Sequence, residues 1–276
     1  DLTQQSAVFG NHFELLEMCE LKKFRDEASD KEIFEKINQF KKIFNVSSEC
    51  DESELKRAAR TAVGLYKLVE VHTLGSLAYY YEGQEGNDYE NIVTSVIAGN
   101  TILTGSNVPV AGEYEVKNIQ AMKILDSLGA GGSFSELYLV DYADDVIYFG
   151  HDGPAHFAIA EGDVGLVPLP LYHGKPGKGL SIQMTVKHGP VTFLAVVQQR
   201  NGTLALLCAE GESVPGPILN IGNTNSRYKF KINSKQFLND WCKAGPSHHC
   251  AIGIGHIGNT LKKLSHILGV DFIKVC

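Results

Sequence analysis

The period of the hydrophobic pattern changes near residue 130, and this change constrains the fold more than any other feature of the sequence. Before it, apolar residues recur every three or four positions, as in 31–44, which is typical of amphipathic helices. After it, apolar and polar residues alternate, as in 180–188, which is typical of half-buried strands. The pattern predicts an α/β fold class, with an α/β layered domain over 1–130 followed by a mainly antiparallel β domain over 131–276.

Three long helices are predicted in the first half, at 31–44, 53–72 and 118–128. Ser29 and Glu32 have the spacing of a capping box ahead of the first helix. Gly129 stands where a glycine commonly follows a helix end. Two short apolar segments between the helices, 2–9 and 92–97, are predicted to be strands of the α/β layer.

In the second half, the alternating segment 180–188 places five residues on one face: Leu180, Ile182, Met184, Val186 and His188. His188 is therefore predicted to be a hydrogen-bonded core residue. Asn201-Gly202 separates two apolar runs and predicts a two-residue hairpin turn of type I′. Further strands are predicted at 136–141, 146–150, 165–171 and 227–232. Such a set of strands suits a barrel or a sandwich.

Composition narrows the functional classes. A net charge of −7 and a pI near 5.8 argue against nucleic acid or an anionic membrane as a partner, because both require a basic surface. No apolar run reaches the roughly 18 residues that a membrane helix needs. The six cysteines are scattered and are read as reduced thiols, so a cytoplasmic location is expected.

Glu113, Glu136, His151 and His249 each lie in a short glycine-containing segment and have metal-ligand side chains. Two carboxylates and two imidazoles suit Mn²⁺, Fe²⁺, Co²⁺ or Zn²⁺ better than Ca²⁺. The intervals of 23, 15 and 98 residues are not a local metal motif, so spacing alone leaves other roles open. Glu113 could favour the dipole of the following helix, Glu136 could be a solvated strand end, and each histidine could be a hydrogen-bonded loop residue.

The four segments, in this order, resemble the L-arabinose isomerase family within the L-fucose/L-arabinose isomerase superfamily. The similarity is strongest from about Val108 onward. It implies that Glu113, Glu136, His151 and His249 hold a catalytic Mn²⁺ or another divalent metal, and that Glu113 and Glu136 are the acid/base pair of an aldose–ketose isomerase acting through an ene-diol. It also implies a β-barrel for the second half and a metal in the crevice between the domains.

The resemblance implies more about the rest of the protein. Family members are much longer, so this chain is expected to be a C-terminal portion whose first domain is incomplete. A preceding domain and a homotrimer or homohexamer would complete the pocket, and the isolated chain is expected to turn over poorly. L-Arabinose or a related sugar is the expected substrate.

Neighbouring residues are weaker candidates. Tyr81 and His248 are predicted to touch the substrate, and Glu115 or His248 could replace Glu113 or His249 as a ligand. Asp152 could orient His151. A different metal-dependent activity, aldolase-like or hydrolytic, and a sugar-binding module without chemistry remain as alternatives. The sequence 253–258 fits G-x-G-x-x-G, but its short preceding strand and the lack of a second nucleotide-binding half argue against a dinucleotide site.

Overall fold

A computed structural model describes residues 1–80, 86–169, 171–172, 175–176 and 179–276. Its α-helices are α1 (Leu2–Phe9), α2 (Met18–Asp26), α3 (Asp30–Ile43), α4 (Glu52–His72), α5 (Asp88–Val93), α6 (Ile97–Thr104), α7 (Val116–Ser127), α8 (Ser234–Lys243) and α9 (Gly258–Leu268). A 3₁₀ helix spans Phe157–Ile159.

The strands are β1 (Asn45–Val46), β2 (Leu77–Ala78), β3 (Val110–Ala111), β4 (Gly131–Asp141), β5 (Val146–His151), β6 (Gly165–Pro168), β7 (Leu171–Tyr172), β8 (Lys175–Pro176), β9 (Leu180–Gln183), β10 (Gly189–Gln198), β11 (Leu204–Val214), β12 (Thr224–Phe230), β13 (His249–Ile254) and β14 (Asp271–Lys274). Most of the longer strands follow residue 130, as the change of period predicts.

Six strands close into an antiparallel barrel. Their order is β10-β13-β4-β5-β12-β11, and β11 pairs back to β10. A seventh strand, β14, pairs with β11 in parallel outside this ring. The predicted fold class, an α/β portion followed by a barrel-like portion, is confirmed, and the barrel is favoured over a sandwich because the hydrogen bonding closes.

The barrel strands are covered on both sides. Phe193 belongs to a core cluster that also contains Phe40 of α3 and Ala62 of α4. The opposite face of the same strand packs Leu194 into a cluster with Leu125 of α7. Burial on both faces explains why β10 is a continuous apolar run rather than an alternating one. The division into domains at residue 130 stays a prediction.

The three predicted helices are present as α3, α4 and α7, with bounds shifted by one or two residues. The capping box forms as expected, since Ser29 Oγ accepts from the Glu32 backbone and the Glu32 carboxylate accepts from the Ser29 backbone. Gly129 follows α7 with a φ of 75°. The sequence predicts these helices correctly because their apolar spacing, and for α3 and α7 a residue that marks a helix end, can be recognised locally.

Both strands predicted in the first half are wrong. Residues 2–9 form helix α1, in which the Asp1 carboxylate caps the first turn and left-handed Gly10 ends the last. Residues 92–97 span the end of α5 and the start of α6. All eight residues of α6 are buried, and a helix buried on every side lacks the 3.6-residue pattern that distinguishes it from a strand.

Two details of the β half also differ. Strand β10 ends at Gln198 and β11 begins at Leu204, so the connection is longer than a two-residue turn. A type I′ turn needs a positive φ at both central residues, and only Gly202 of Asn201-Gly202 has one. His188 is exposed, and its backbone N–H donates to Glu161 Oε2 at 2.9 Å, so its predicted core position is wrong.

Gly150 is required by close packing beside the barrel rim. A Cβ at this position would lie 2.2 Å from the Thr224 carbonyl oxygen and 2.8 Å from Tyr138 Cε2. We expect Gly150→Ala to lower the free energy of unfolding by about 1–3 kcal/mol, the usual effect of overpacking, in urea denaturation. Gly75→Ala is the matched control, since nothing lies within 4 Å of its Cβ position. An equal effect of both substitutions would contradict the expectation.

Candidate metal centre at the barrel rim

Three adjacent barrel strands place the candidate residues in a row. Glu136 of β4 lies opposite His249 of β13 on one side and opposite Gly150 of β5 on the other. His151 ends β5 and pairs with Thr224 of β12. Strand pairing therefore brings residues that are up to 113 positions apart in the sequence to one edge of the barrel.

Glu113 reaches this edge from a loop between β3 and α7. Helix α7 packs against β4, β10 and β13, so the residues before it lie over the same rim. Glu113 and Tyr114 both have left-handed backbones, with φ of 58° and 51°, a conformation that residues other than glycine rarely adopt. The Tyr114 N–H donates to the Tyr79 carbonyl at 3.0 Å. Strained backbone of this kind commonly marks a functional site.

The side-chain atoms of the four predicted ligands converge. His151 Nε2 lies 3.2 Å from His249 Nε2, and Glu113 Oε1 lies 3.8 Å from the first and 3.6 Å from the second. Glu136 Oε1 lies 4.0 Å from His151 Nε2. Ligands at about 2.1 Å from a shared cation would be about 3 Å apart. These separations are slightly wider, so Glu113, His151 and His249 could enclose a cation after small side-chain shifts, and Glu136 lies beside His151 at the edge of this group.

A second, overlapping set involves His248. The ligand atoms of Glu113, His248 and His249 lie within 4.8 Å of one another and form a candidate Glu/His/His metal site. His248 Nε2 is 3.3 Å from Glu113 Oε2, and its side chain is 62% exposed. Glu113 and His249 are common to both sets, while the buried His151 and the exposed His248 compete for the third position. Which set binds the metal stays a prediction.

Burial and neighbouring side chains shift the pKa values of the two carboxylates in opposite directions. The His151 side chain, with its Nε2 3.8 Å from Glu113 Oε1, lowers the pKa of Glu113 to about 2, and burial opposes this effect. Burial raises the pKa of Glu136, which the nearby histidines only partly offset. Glu113 is therefore a permanent anion suited to holding a cation, whereas Glu136 is a stronger base suited to carrying a proton.

The two buried imidazoles have different surroundings, which affect the pKa of His249 and the position of the ring proton of His151. Burial, reinforced by His151 and His248, lowers the pKa of His249 to about 3, so its ring stays neutral at physiological pH. The Gly153 N–H donates to His151 Nδ1 at 2.8 Å, which places the proton of a neutral His151 ring on Nε2. Binding a cation through Nε2 requires that proton to move to Nδ1, which breaks the hydrogen bond from the Gly153 N–H. Asp152 Oδ1, at 3.4 Å, is then the acceptor that faces Nδ1.

The low pKa of His249 predicts acid sensitivity. An unfolded histidine takes up a proton near pH 6.5, while folded His249 does so only near pH 3, so this residue lowers stability progressively as pH falls between these values. We expect the metal-free protein to lose about 2 kcal/mol through this residue by pH 5. Urea unfolding at pH 7 and pH 5 measures the drop in the free energy of unfolding between the two pH values. This drop should be about 2 kcal/mol smaller in His249→Gln than in the wild type. An identical loss in both proteins would contradict it.

Sequence reasoning missed several residues around the centre. The Phe134 ring lies under both imidazoles, with centroid distances of 4.3 Å to His151 and 4.4 Å to His249. Tyr138 lies two positions after Glu136 in β4, and its hydroxyl accepts from Asn223 Nδ2 at 3.0 Å. The pairing of β4 with β5 shifts register between Leu137 and Leu139, so simple alternation along the strand does not identify Tyr138. Nothing local marks Asn223. Tyr81, a predicted substrate contact, lies outside the described residues.

The glycine-rich sequence 253–258 has a structural role. Gly258 begins α9, and its N–H donates to Glu210 Oε1 at 2.8 Å, so this chain's own carboxylate occupies the helix start that a pyrophosphate would need. Gly253 lies close to Ala130. No helix within the described part of the chain is long and apolar enough to cross a membrane.

Comparison with known proteins adds a partial relationship. Residues 171–275 match the family model of the L-fucose isomerase C-terminal domain. His248 and His249 lie within the match, whereas Glu113, Glu136 and His151 precede it. No curated protein matches the chain. Over its C-terminal part the chain is thus similar to the L-fucose/L-arabinose isomerase superfamily, and the match does not single out the arabinose isomerases.

Proposed function

We propose that the protein is a metal-dependent aldose–ketose isomerase that converts L-arabinose to L-ribulose or acts on a related sugar. The observation that carries the proposal is the convergence of Glu113, Glu136, His151 and His249 at one barrel rim. The match to the L-fucose isomerase C-terminal domain supports the same class of reaction. The resemblance further supports a cytoplasmic homotrimer or homohexamer for a longer form of the protein.

The donor set fits a divalent transition metal, with Mn²⁺ as the expected ion. Glu113 would hold it with His249 and with His151 or His248, and Glu136 completes the predicted set. Mixed carboxylate and imidazole donors suit such ions. Among the described residues, the buried His249 Nδ1 has no hydrogen-bond partner, which fits a ring that offers its other nitrogen to a cation. When bound, the cation stabilises negative charge that develops on the sugar oxygens during proton transfer.

Glu136 is proposed to move the proton between the two carbons. Its raised pKa lets the carboxylate take the C2 proton of an aldose and return it to C1 of the ene-diol. Glu113, with its pKa near 2, is a weak base, so its main role in the predicted acid/base pair is to hold the cation. Phe134 closes the inner side of the site with an apolar ring.

Isotope exchange tests the proposed reaction. In D₂O, the metal-loaded longer form of the protein, in which the pocket is expected to be complete, should interconvert aldose and ketose reversibly, and the aldose pool should acquire deuterium at C2, because the ene-diol route passes the proton through Glu136. NMR of the sugars measures both. Conversion without deuterium would contradict the ene-diol route. A second product would indicate an aldolase or a hydrolase, and sugar binding without conversion would indicate a binding module.

A further inference from the structure

His249 has one ring nitrogen that the fold isolates. The residue is 1% exposed, and Nδ1 is buried with no hydrogen-bond partner among the described residues. Buried polar atoms are nearly always paired, so an unpaired one calls for a specific explanation. The opposite nitrogen, Nε2, is the atom that faces Glu113 and His151.

Glu115 is the carboxylate that faces the isolated nitrogen. Its Oε2 lies 4.0 Å from His249 Nδ1. The same oxygen accepts a hydrogen bond from Ser247 Oγ at 2.9 Å, which ties the loop before α7 to the residues entering β13. Glu115 stands at the N-cap of α7 but makes no capping hydrogen bond with its side chain. Its carboxylate is therefore directed at the His249 segment and not at its own helix.

We infer that Glu115 is a positioning residue that accepts the Nδ1–H of His249 and thereby holds His249 Nε2 toward the metal. A neutral histidine that offers one nitrogen to a cation carries its proton on the other, and a carboxylate commonly accepts that proton. The present 4.0 Å separation must shorten by about 1 Å to reach the length of a charge-assisted hydrogen bond. Ser247 holds the oxygen on the correct side.

The inference rests on the metal site of the proposed function, and metal affinity tests it directly. In calorimetric titration of Mn²⁺ into the chelator-stripped protein, Glu115→Ala should weaken binding about 10–100-fold. Glu115→Gln should weaken it less, since its amide oxygen still accepts a hydrogen bond. Ser247→Ala should also weaken Mn²⁺ binding, by a smaller factor than Glu115→Ala, because it removes only the hydrogen bond that holds the Glu115 carboxylate. Glu161→Gln is the matched control, because Glu161 Oε2 lies 3.9 Å from His188 Nδ1 outside this site.

A spectroscopic measurement separates positioning from general damage. In the Zn²⁺-loaded protein, ¹⁵N NMR should show His249 protonated on Nδ1, with a proton that exchanges slowly in the wild type and rapidly in Glu115→Ala. Affinity equal to wild type in both Glu115 variants would overturn the inference. A wild-type protein that binds no metal would overturn it together with the proposed metal site. Metal binding that weakens as expected in the Glu115 variants would support the inference even without isomerisation, because the isolated chain is expected to turn over poorly.

Discussion

Glu136→Gln should lower the turnover of sugar isomerisation about 10²–10⁴-fold, the range expected when a general acid/base is removed. Glutamine keeps the size of the side chain but cannot take a proton. The raised pKa of Glu136 and its place between His249 and Gly150 in the strand pairing make it the group best suited to that transfer. Steady-state kinetics with saturating Mn²⁺ measures the effect.

A measurement of Mn²⁺ affinity distinguishes a role of Glu136 in proton transfer from a role as a metal ligand alone. Glutamine keeps an oxygen that can still face the cation, so we expect Mn²⁺ affinity in Glu136→Gln to fall less than turnover, although Glu136 belongs to the predicted ligand set. Glu212→Gln is a suitable control, because Glu212 Oε1 also lies near a histidine, 3.6 Å from His256 Nε2, but outside the rim. Turnover within about tenfold of wild type would rule out Glu136 as the proton carrier.

Glu113→Ala should weaken Mn²⁺ binding by more than about 100-fold, which exceeds the usual effect of losing a residue behind a ligand. Glu113 is the carboxylate shared by both candidate ligand sets, with contacts to His151, His248 and His249. Its pKa near 2 keeps it charged at neutral pH. Calorimetric titration into the chelator-stripped protein measures the change.

Glu113→Gly provides a control for folding. It removes the same ligand, but glycine adopts the left-handed backbone at this position, with φ of 58°, without strain. The free energy of unfolding of the metal-free Glu113→Gly variant should therefore exceed that of Glu113→Ala by roughly 1 kcal/mol. We expect equal losses of metal affinity in the two variants despite their different stabilities. Retained affinity in both would show that Glu113 is not a ligand.

The fold was predictable where local signals were complete. Helix α3 has its capping box and a regular apolar face, and α7 ends at Gly129, so neither depends on distant residues for its identity. Helices α1 and α6 contradict the strands predicted at 2–9 and 92–97. In α6 burial on every side removes the periodic pattern, whereas in α1 the capping residues Asp1 and Gly10 favour a helix over a strand in a short apolar run.

The sequence by itself determined the change from helices to strands and the chemical types of the candidate ligands. Only the tertiary structure decided that the six strands close into a barrel and that Glu136, His151 and His249 share one rim, because strand pairing such as β4 with β13 joins segments over 100 residues apart. It also decided the strained backbone of Glu113 and the isolation of His249 Nδ1. Such features depend on the packing of whole elements, which no local pattern encodes.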